Sequence, residues 1–463
     1  MRLKFLLLLA LLASGTLLSR RTSSGTEKVR ILSVSDKGWL RISGDRRVRL
    51  QGLALSEQGR TGPRPELLAA LRQLSSRGPF RLELDAHPGG DYATLRLEKG
   101  GKSVNEEILE KGLAWFTSQS ARVTDQKRLL AAARRARSAG AGLWKGVQRL
   151  GGRPPIQRGA VLGLYYKEER FDYHEQIDRV VASGAEWLTL LVSNFVDKVD
   201  SSEVEFDAQR TVKASRFLET AAYARKKGLR LALLPIVLIR HAGDDDWRGT
   251  LKPKDVGRFW LSYNRFLMHW TDLARMSGVD LLYVGSEFCS LERSQNAWER
   301  IIANARGRFG GWLTYSVNWD HYSVPRFWHL LDQVGMTAYF ELTKDKDASY
   351  DKLVAAWRKV RKDLAKASKD LSRPLVLTEL GYPSQNGANT APWNYYLAQN
   401  DIDLEEQADC FRAFAEVMHD APFLRGVYIF DFFEKGGPED HTYAIWKKPA
   451  WKVVQKFLAT FRR

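Results

Sequence analysis

The sequence predicts a multidomain chain in which a small OB-like β-barrel with helices precedes a (β/α)₈ barrel. Its 463 residues suffice for two or three hydrophobic cores. The charge is uneven, because residues 1–158 contain 30 Lys and Arg against 13 Asp and Glu, whereas the remainder contains 42 against 41. From about residue 159 onward, short apolar runs alternate with amphipathic helical segments, a pattern typical of a parallel barrel.

The first residues predict export. Met1–Lys4 is basic and Phe5–Ala13 is apolar, as in a signal peptide. We therefore assign residues 1–21 to a signal peptide and expect a secreted protein, or one in the periplasm or cell envelope. An uncleaved anchor is the alternative. Later apolar runs are too short to cross a bilayer, so we expect no stable membrane span after signal removal.

Residues 27–146 form the predicted first domain, in which short strands and helices alternate as in an OB-type barrel. The predicted strands are Val29–Val34, Trp39–Ile42, Arg47–Leu53, Phe80–Leu84 and Ala93–Leu97. The predicted helices are Pro65–Ser75, Val104–Gly112 and Thr124–Ser138. The positive charge predicts an anionic partner, which is nucleic acid, an anionic envelope polymer or a lipid surface. Docking onto the second domain is an alternative. Solvated, Arg-rich helix faces would explain the same composition.

Short motifs run through this domain in order: Val34-Ser-Asp36, Val48–Gly52, Glu57, Asp91-Tyr92, Val104-Asn105 and Gly142–Trp144. They resemble the staphylococcal nuclease (thermonuclease-like) family, which implies calcium-dependent phosphodiester cleavage. Asp36, Arg49 and Glu57 match the functional residues of that family. Its other positions are occupied here by Gly38, Ala54 and Thr94. Calcium prefers several charged oxygen ligands, so we expect this domain to be non-catalytic.

Residues 147–158 contain paired glycines and paired prolines without periodicity, which predicts a linker before a barrel domain at 159–463. The predicted barrel strands are Ala160–Leu164, Glu186–Val192, Leu229–Leu238, Val279–Gly285, Trp312–Val317, Val334–Tyr339, Leu375–Glu379 and Gly426–Phe432. The predicted helices are Tyr173–Ser183, Ala208–Lys227, Asp255–Ser277, Ala297–Gly307, Pro325–Leu331, Leu353–Ser368, Leu404–Met418 and Trp451–Phe461.

Two glutamates occupy equivalent places in this pattern. Glu287 follows the fourth strand and Glu379 ends the seventh. Active sites of such barrels lie where the strands end, so we expect both carboxyl groups at one opening. Two carboxyl groups that flank a glycosidic bond are the requirement of glycoside hydrolysis, about 5–5.5 Å apart for the retaining mechanism. The alternatives are that Glu287 only caps a helix dipole and that Glu379 pairs with a lysine.

Further motifs run through the barrel in order: Trp247-Arg-Gly249, Val284–Glu287, Tyr315–Asp320, Ala338–Phe340, Thr378–Ser384 and Lys448–Ala450. They resemble glycoside hydrolase clan A, and within it family 113, the β-mannanase group. The resemblance implies that Glu287 is the general acid/base, that Glu379 is the nucleophile and that Tyr339 orients Glu379. It also implies sugar contacts for Asn194, His241, Trp247, Asn318 and Trp319. Core aromatics and residues that satisfy backbone groups are the alternative.

Two positions depart from the clan pattern. Ser286 stands where Asn often precedes the acid/base, and the region after strand eight has Phe430 and Phe432 in place of Trp. Both departures leave the sugar preference open. Cys289 and Cys410 are the two cysteines, and no paired Cys or His signature predicts a metal site, so we expect neither metal nor cofactor.

The sequence therefore predicts a secreted retaining glycoside hydrolase that acts on a β-linked, mannan-like hexose polysaccharide through two glutamates. A non-catalytic glycan-binding barrel anchored by the basic domain is the alternative, and a calcium-dependent nuclease is a further one.

Overall fold

The computed structural model describes residues 27–55, 62–87, 90–97, 101–118, 120–165, 171–394 and 401–462. The predicted signal peptide and Glu57 lie outside these residues. The described chain forms two regions, a strand-rich N-terminal sheet with helices and a closed parallel barrel, as the sequence predicts. Within the described residues, no helix combines the length and apolar character needed to cross a bilayer.

The N-terminal region contains a six-stranded sheet in the order β1-β6-β7-β4-β3-β2, and β5 pairs with β8. The strands are β1 (Glu27–Val29), β2 (Ile31–Val34), β3 (Leu40–Ile42), β4 (Arg46–Leu50), β5 (Leu53–Ala54), β6 (Phe80–His87), β7 (Gly90–Leu97) and β8 (Trp115–Phe116). The helices are α1 (Pro65–Gln73), α2 (Val104–Glu110) and α3 (Val123–Ala139). Closure into an OB-type barrel stays a prediction.

Local signals explain where these helices begin and end. Helix α1 starts at Pro65, whose fixed φ and missing N–H suit a first turn. Helix α2 starts with a capping box, in which Ser103 and Glu106 satisfy each other's backbone N–H groups. Helix α3 ends at Gly140 with φ +65°, a left-handed conformation that glycine adopts without a steric penalty.

Eight parallel strands close the barrel, with β9 hydrogen-bonded to both β10 and β16. They are β9 (Gln157–Gly163), β10 (Trp187–Val196), β11 (Arg230–Ile239), β12 (Leu281–Ser286), β13 (Trp312–Val317), β14 (Val334–Thr337), β15 (Leu375–Leu380) and β16 (Leu424–Ile429). Nearly every residue of these strands is buried, because helices cover the outside and side chains fill the inside. Such strands are apolar throughout instead of alternating.

The surrounding helices are α4 (His174–Ala182), α5 (Ala214–Lys226), α6 (Val256–Met276), α7 (Gln295–Arg306), α8 (Tyr350–Asp370), α9 (Leu404–Met418) and α10 (Pro449–Thr460). The prediction of a helix at Pro325–Leu331 is wrong except for one 3₁₀ turn, Trp328–Leu330. The buried side chains of Phe327 and Trp328 anchor this short connection in the barrel core.

The N-terminal region packs against the barrel end where the strands begin, which we call the barrel base. Arg137 Nη2 donates to the carbonyl oxygen of Gly310 (2.6 Å), just before β13. Ser118 N–H donates to Asn304 Oδ1 on α7 (2.6 Å). The segment between the domains continues this contact, because Gln148 Nε2 donates to Asp280 Oδ1 (3.0 Å). Strand β9 then starts at Gln157, inside the predicted linker.

Candidate active site

Glu287 enters the opposite end of the barrel, the barrel mouth, through a break in strand β12. The ladder between β12 and β13 shifts register just before the strand ends. Gly285 lies so close to Trp298 that an added Cβ would be 2.7 Å from the indole ring. Glu287 then adopts φ +50°, and its N–H donates to the carbonyl oxygen of Ser316 (2.8 Å). This turn places a charged side chain at the mouth although it is only 5% exposed.

Glu379 reaches the same place from β15, and Thr337 connects the two glutamates. Thr337 is the register partner of Glu379 across β14 and β15, and neighbouring strands lie only about 4.8 Å apart. The Thr337 hydroxyl also donates to Glu287 Oε1 (2.9 Å). Glu379 is 4% exposed. Two buried carboxyl groups therefore share one small volume at the barrel mouth.

Arg248 supplies the positive charge of this cluster. Its guanidinium donates to Glu287 Oε2, from a 3₁₀ turn in the loop between β11 and α6. Ser290, three residues after Glu287, holds that turn in place: its N–H donates to the carbonyl oxygen of Gly249 (2.9 Å), and its hydroxyl donates to that of Leu251 (2.7 Å). The arginine and the acid it contacts are thus fixed by the same pair of loops.

The electrostatics of the cluster favour the protonated form of Glu379 at neutral pH. Burial and the charge of Glu287 raise the pKa of Glu379 to about 8, against the lowering effects of Arg248 and of the hydrogen bond from Tyr339. Burial lowers the pKa of Arg248, but both carboxylates outweigh this and raise it. Arg248 carries one positive charge, so it can balance the charge of one ionised carboxylate. An acid and an anion side by side are what glycosidic bond cleavage uses.

The raised pKa of Glu379 favours its protonated form, whereas the role of nucleophile that the resemblance implies requires its carboxylate. Arg248 contacts Glu287, and its charge also lowers the pKa of Glu379. A movement of the guanidinium toward Glu379 would therefore favour the carboxylate of Glu379.

Two of the predicted site residues, Tyr339 and Asn318, contact this cluster, and a third, Asn194, lies on a barrel strand. Tyr339 Oη donates to Glu379 Oε2 (2.9 Å). Asn318 accepts from the Thr337 hydroxyl (3.4 Å) and donates to Asp320 Oδ1 (2.7 Å). Asn194 lies near the end of β10 and is buried, where its Oδ1 accepts from the indole N–H of a tryptophan on α6 (3.2 Å). Their roles toward a sugar stay predictions.

The other three lie further out on the rim. His241 is exposed, and its Nδ1 lies 3.0 Å from Asp197 Oδ1. Trp247 is 38% exposed. Trp319 is half-buried and makes an edge-to-face contact with Phe340, with the ring centroids 5.5 Å apart. None of the three has a described contact with either glutamate, and their roles toward a sugar stay predictions.

Sequence reasoning missed Arg248 and Thr337, and it located Asp431 just past the eighth strand without assigning it a role. Arg248 stands inside the Trp247-Arg-Gly249 motif, and that motif is the sequence signal that could identify it. Thr337 gave no signal, because threonines inside strands usually satisfy the backbone. Asp431 follows β16 and is buried; burial and the charge of Glu434 raise its pKa to about 7, and its charge further raises the pKa of Glu379.

The nuclease-like positions of the N-terminal region form no comparable cluster among the described residues. Asp36 is exposed and pairs with Arg72 on α1 (2.6 Å). Gly38 occupies a turn with φ +76°. Arg49 stacks on a tryptophan ring (4.2 Å). Thr94, which stands at the position of the second arginine, is buried and accepts a hydrogen bond from a glutamine side chain.

The closed parallel barrel and the paired carboxyl groups at its mouth define a glycoside hydrolase. A sequence profile of Glycoside Hydrolase Family 113 matches residues 162–448, more than half of the chain. The chain belongs to this family. A second profile, Staphylococcal nuclease homologue, matches residues 89–146. The resemblances to both families are therefore confirmed.

Solved structures of the same family share the barrel. The GH113 beta-mannanase AaManA from Alicyclobacillus acidocaldarius, in complex with ManMIm, has 24% sequence identity and a TM-score of 0.60, and the match covers 66% of this chain and 98% of that chain. A GH113 beta-1,4-mannanase in a complex structure has 20% identity and a TM-score of 0.59, with coverage of 66% and 100%. At these identities the similarity shows the fold. No curated protein matches the chain.

Proposed function

We propose that this glycoside hydrolase cleaves a β-linked, mannan-like hexose polysaccharide by a retaining mechanism, with Glu287 as acid/base and Glu379 as nucleophile. The observation that carries the proposal is the buried cluster in which Glu287 and Glu379 share Thr337 and Arg248. A structural ion pair would need one carboxylate, whereas this cluster buries two around one cation. Burying two carboxyl groups lowers the stability of the fold, because both lose their hydration. A role of the pair in the reaction would explain why the chain keeps this arrangement.

The mechanism follows from the two environments. Glu379 Oε2 accepts from Tyr339, and Glu379 Oε1 is buried without a hydrogen-bond partner among the described residues, so it is available to bond the anomeric carbon. Protonated Glu287 gives its proton to the glycosidic oxygen as that bond breaks, leaving a glycosyl ester on Glu379. Water then attacks the anomeric carbon, Glu287 accepts its proton, and the carboxylate of Glu379 is released.

Arg248 sets which carboxyl group holds the shared proton. In the resting arrangement it contacts Glu287, and its charge also lowers the pKa of Glu379. We infer that substrate, by occupying the mouth, weakens the contact with Glu287 and leaves the guanidinium to stabilise the anion of Glu379. The proton then lies on Glu287, as the first chemical step requires.

Two features support a polymeric substrate of the mannan type. The family relatives described above are named beta-mannanases. Around the mouth, Trp247 is 38% exposed and Trp393, in the loop after β15, is 49% exposed. Exposed indole rings offer flat apolar faces with a polar N–H, which suits stacking on sugar rings away from the bond that breaks.

The test combines a substrate panel with two variants. We expect reducing ends to be released from mannan or glucomannan, with xylan and β-glucan as comparison substrates, and NMR of the first product to show the β-anomer. Glu287→Ala and Glu379→Ala should abolish turnover, and Glu341→Ala, an exposed acid paired with Lys344, is the matched control. Binding to mannan without turnover by the wild type would instead support the non-catalytic alternative.

We further propose export and attachment through the basic N-terminal region. Export is supported by the signal-like sequence of residues 1–21. Attachment is supported by the uneven charge of the chain, because residues 1–158 contain 30 Lys and Arg against 13 Asp and Glu. Binding of an anionic polymer should weaken steeply with salt, and Arg81→Glu should weaken it further. Salt-independent binding would contradict the proposal.

A further inference from the structure

Three side chains of different chemistry meet beside the acid/base loop. Cys289 and Glu292 lie in the loop after β12, and His321 lies in the loop after β13. Each offers one ligand atom, and these atoms all lie within 4.8 Å of one another. Glu292 is buried, whereas Cys289 and His321 are partly exposed. Solvent can therefore reach a cluster whose innermost member is a carboxylate.

The distance between His321 and Glu292 fits a tetrahedral cation. His321 Nδ1 lies 3.3 Å from Glu292 Oε2. Zinc bonds to nitrogen and oxygen at about 2.0–2.2 Å, so tetrahedral geometry holds those two atoms about 3.3–3.6 Å apart. The same distance also allows a weak hydrogen bond. The sulfur, oxygen and nitrogen donors together suit zinc and its transition-metal neighbours, and not calcium or magnesium, which prefer oxygen ligands.

The carboxylate is oriented as a metal ligand would be. Tyr315 Oη donates to Glu292 Oε1 (2.8 Å) and accepts from the N–H of Phe288 (2.8 Å). This fixes Oε1 and leaves Oε2 on the side of His321. Outer-shell hydrogen bonds of this kind orient ligating carboxylates in metal sites. Among the described residues, Glu292 is within ion-pair distance of His321. This histidine balances the charge of the carboxylate only when its ring is protonated.

We propose that Cys289, Glu292 and His321 bind one zinc-class divalent cation, with water completing the coordination. Binding displaces the thiol proton of Cys289 to solvent and uses neutral His321. The cation ties the loop that follows Glu287 to the loop that follows β13, so it acts as a positioning element for the acid/base and not as a reactant. The proposal is independent of which glycan the enzyme cleaves.

Cobalt titration of the untagged, metal-stripped full-length protein tests this. We expect binding of one Co²⁺ per chain with the near-ultraviolet thiolate-to-cobalt absorption. Cys289→Ser should remove that absorption, and Cys410→Ser, which changes the other, fully buried thiol, should retain it. His321→Gln should weaken binding more than tenfold, and Tyr315→Phe by about 10–100-fold, the range for outer-shell partners.

Thermal unfolding supplies a second readout without substrate. Zn²⁺ should raise the Tm of the wild type and of Cys410→Ser, and it should leave the Tm of Cys289→Ser unchanged. The proposal is overturned if the wild type shows no saturable 1:1 binding, or if the absorption survives in Cys289→Ser. Circular dichroism of each variant before titration separates lost ligation from lost folding.

Discussion

The two regions treat their acidic side chains in opposite ways. In the N-terminal region, the nuclease-like Asp36 is exposed and neutralised by Arg72 in a simple surface pair. At the barrel mouth, Glu287 and Glu379 are buried around the single cation Arg248, which can balance the charge of only one ionised carboxylate. Exposed pairs contribute little to stability or chemistry. The comparison teaches that burial and imbalance of charge, more than resemblance to a catalytic family, mark the site that can react.

The largest expected effect separates these acids directly. Glu379→Gln should lower kcat on mannan on the order of 10⁴-fold, because the covalent intermediate cannot form. Asp36→Asn should leave kcat unchanged. Steady-state assays of both purified variants measure the contrast. Calcium-dependent DNA cleavage by the wild type that disappears in Asp36→Asn would break the comparison, since the small domain would then be catalytic too.

The arginines give the next contrast. Arg248→Ala should lower kcat/KM by roughly 10²-fold, as the loss of a preorganised charge at a reacting centre does. Because the charge of Arg248 lowers the pKa of Glu379, its removal should also move the acidic limb of the pH profile of kcat/KM to higher pH. Arg72→Ala is the control and should change neither. An unmoved acidic limb in Arg248→Ala would show that this charge does not act on the nucleophile.

The stability cost of the buried pair should be visible as a pH dependence. The pKa of Glu379 is raised from 4.5 to about 8 in the folded protein. Protonated Glu379 therefore contributes to the stability of the fold below about pH 4.5, and this contribution is lost as the pH rises through about 8. Each pKa unit corresponds to about 1.4 kcal/mol, which gives a few kcal/mol. We expect the Tm of the wild type to fall across this window more than that of Glu379→Gln. Parallel curves would contradict the raised pKa.

The smallest effect concerns the contact between the regions. Arg137→Ala removes the hydrogen bond to Gly310 (2.6 Å) and should lower the free energy of unfolding by about 1–3 kcal/mol, because a carbonyl group loses a charged donor. Arg134→Ala, on the exposed face of the same helix, should change it little. Urea denaturation measures both. Equal effects of the two variants would mean that the interface does not stabilise the fold.

Much of this architecture was predictable because it depends on local pattern. Apolar runs and their spacing indicated all eight barrel strands, and the strand-end rule located Glu287 and Glu379. Arg248 needed more than pattern, since an arginine in a loop is usually solvated and only the folded chain brings it to Glu287. Cys289 and His321 were invisible for the same reason: they are 32 residues apart in sequence, and the adjacency of β12 and β13 brings them together.

The failed helix at Pro325–Leu331 has a similar origin. Its composition suits a helix after the proline, but the buried rings of Phe327 and Trp328 fix a shorter path between β13 and β14. The contacts of the N-terminal region with Gly310 and Asp280 could not be predicted from the sequence either. A backbone carbonyl group and the first residue of a strand have no characteristic composition that would mark them as contact points. Tertiary packing decided each of these features.

Docking at the barrel base has a directional consequence. Gly310 and Asp280 precede β13 and β12, whereas Glu287 follows β12, so a strand's length of roughly 20 Å separates them. If the enzyme is immobilised through its cationic module, the catalytic opening points outward from the support. A long chain can then approach and depart while the protein stays attached, because tethering and turnover use opposite poles of the molecule.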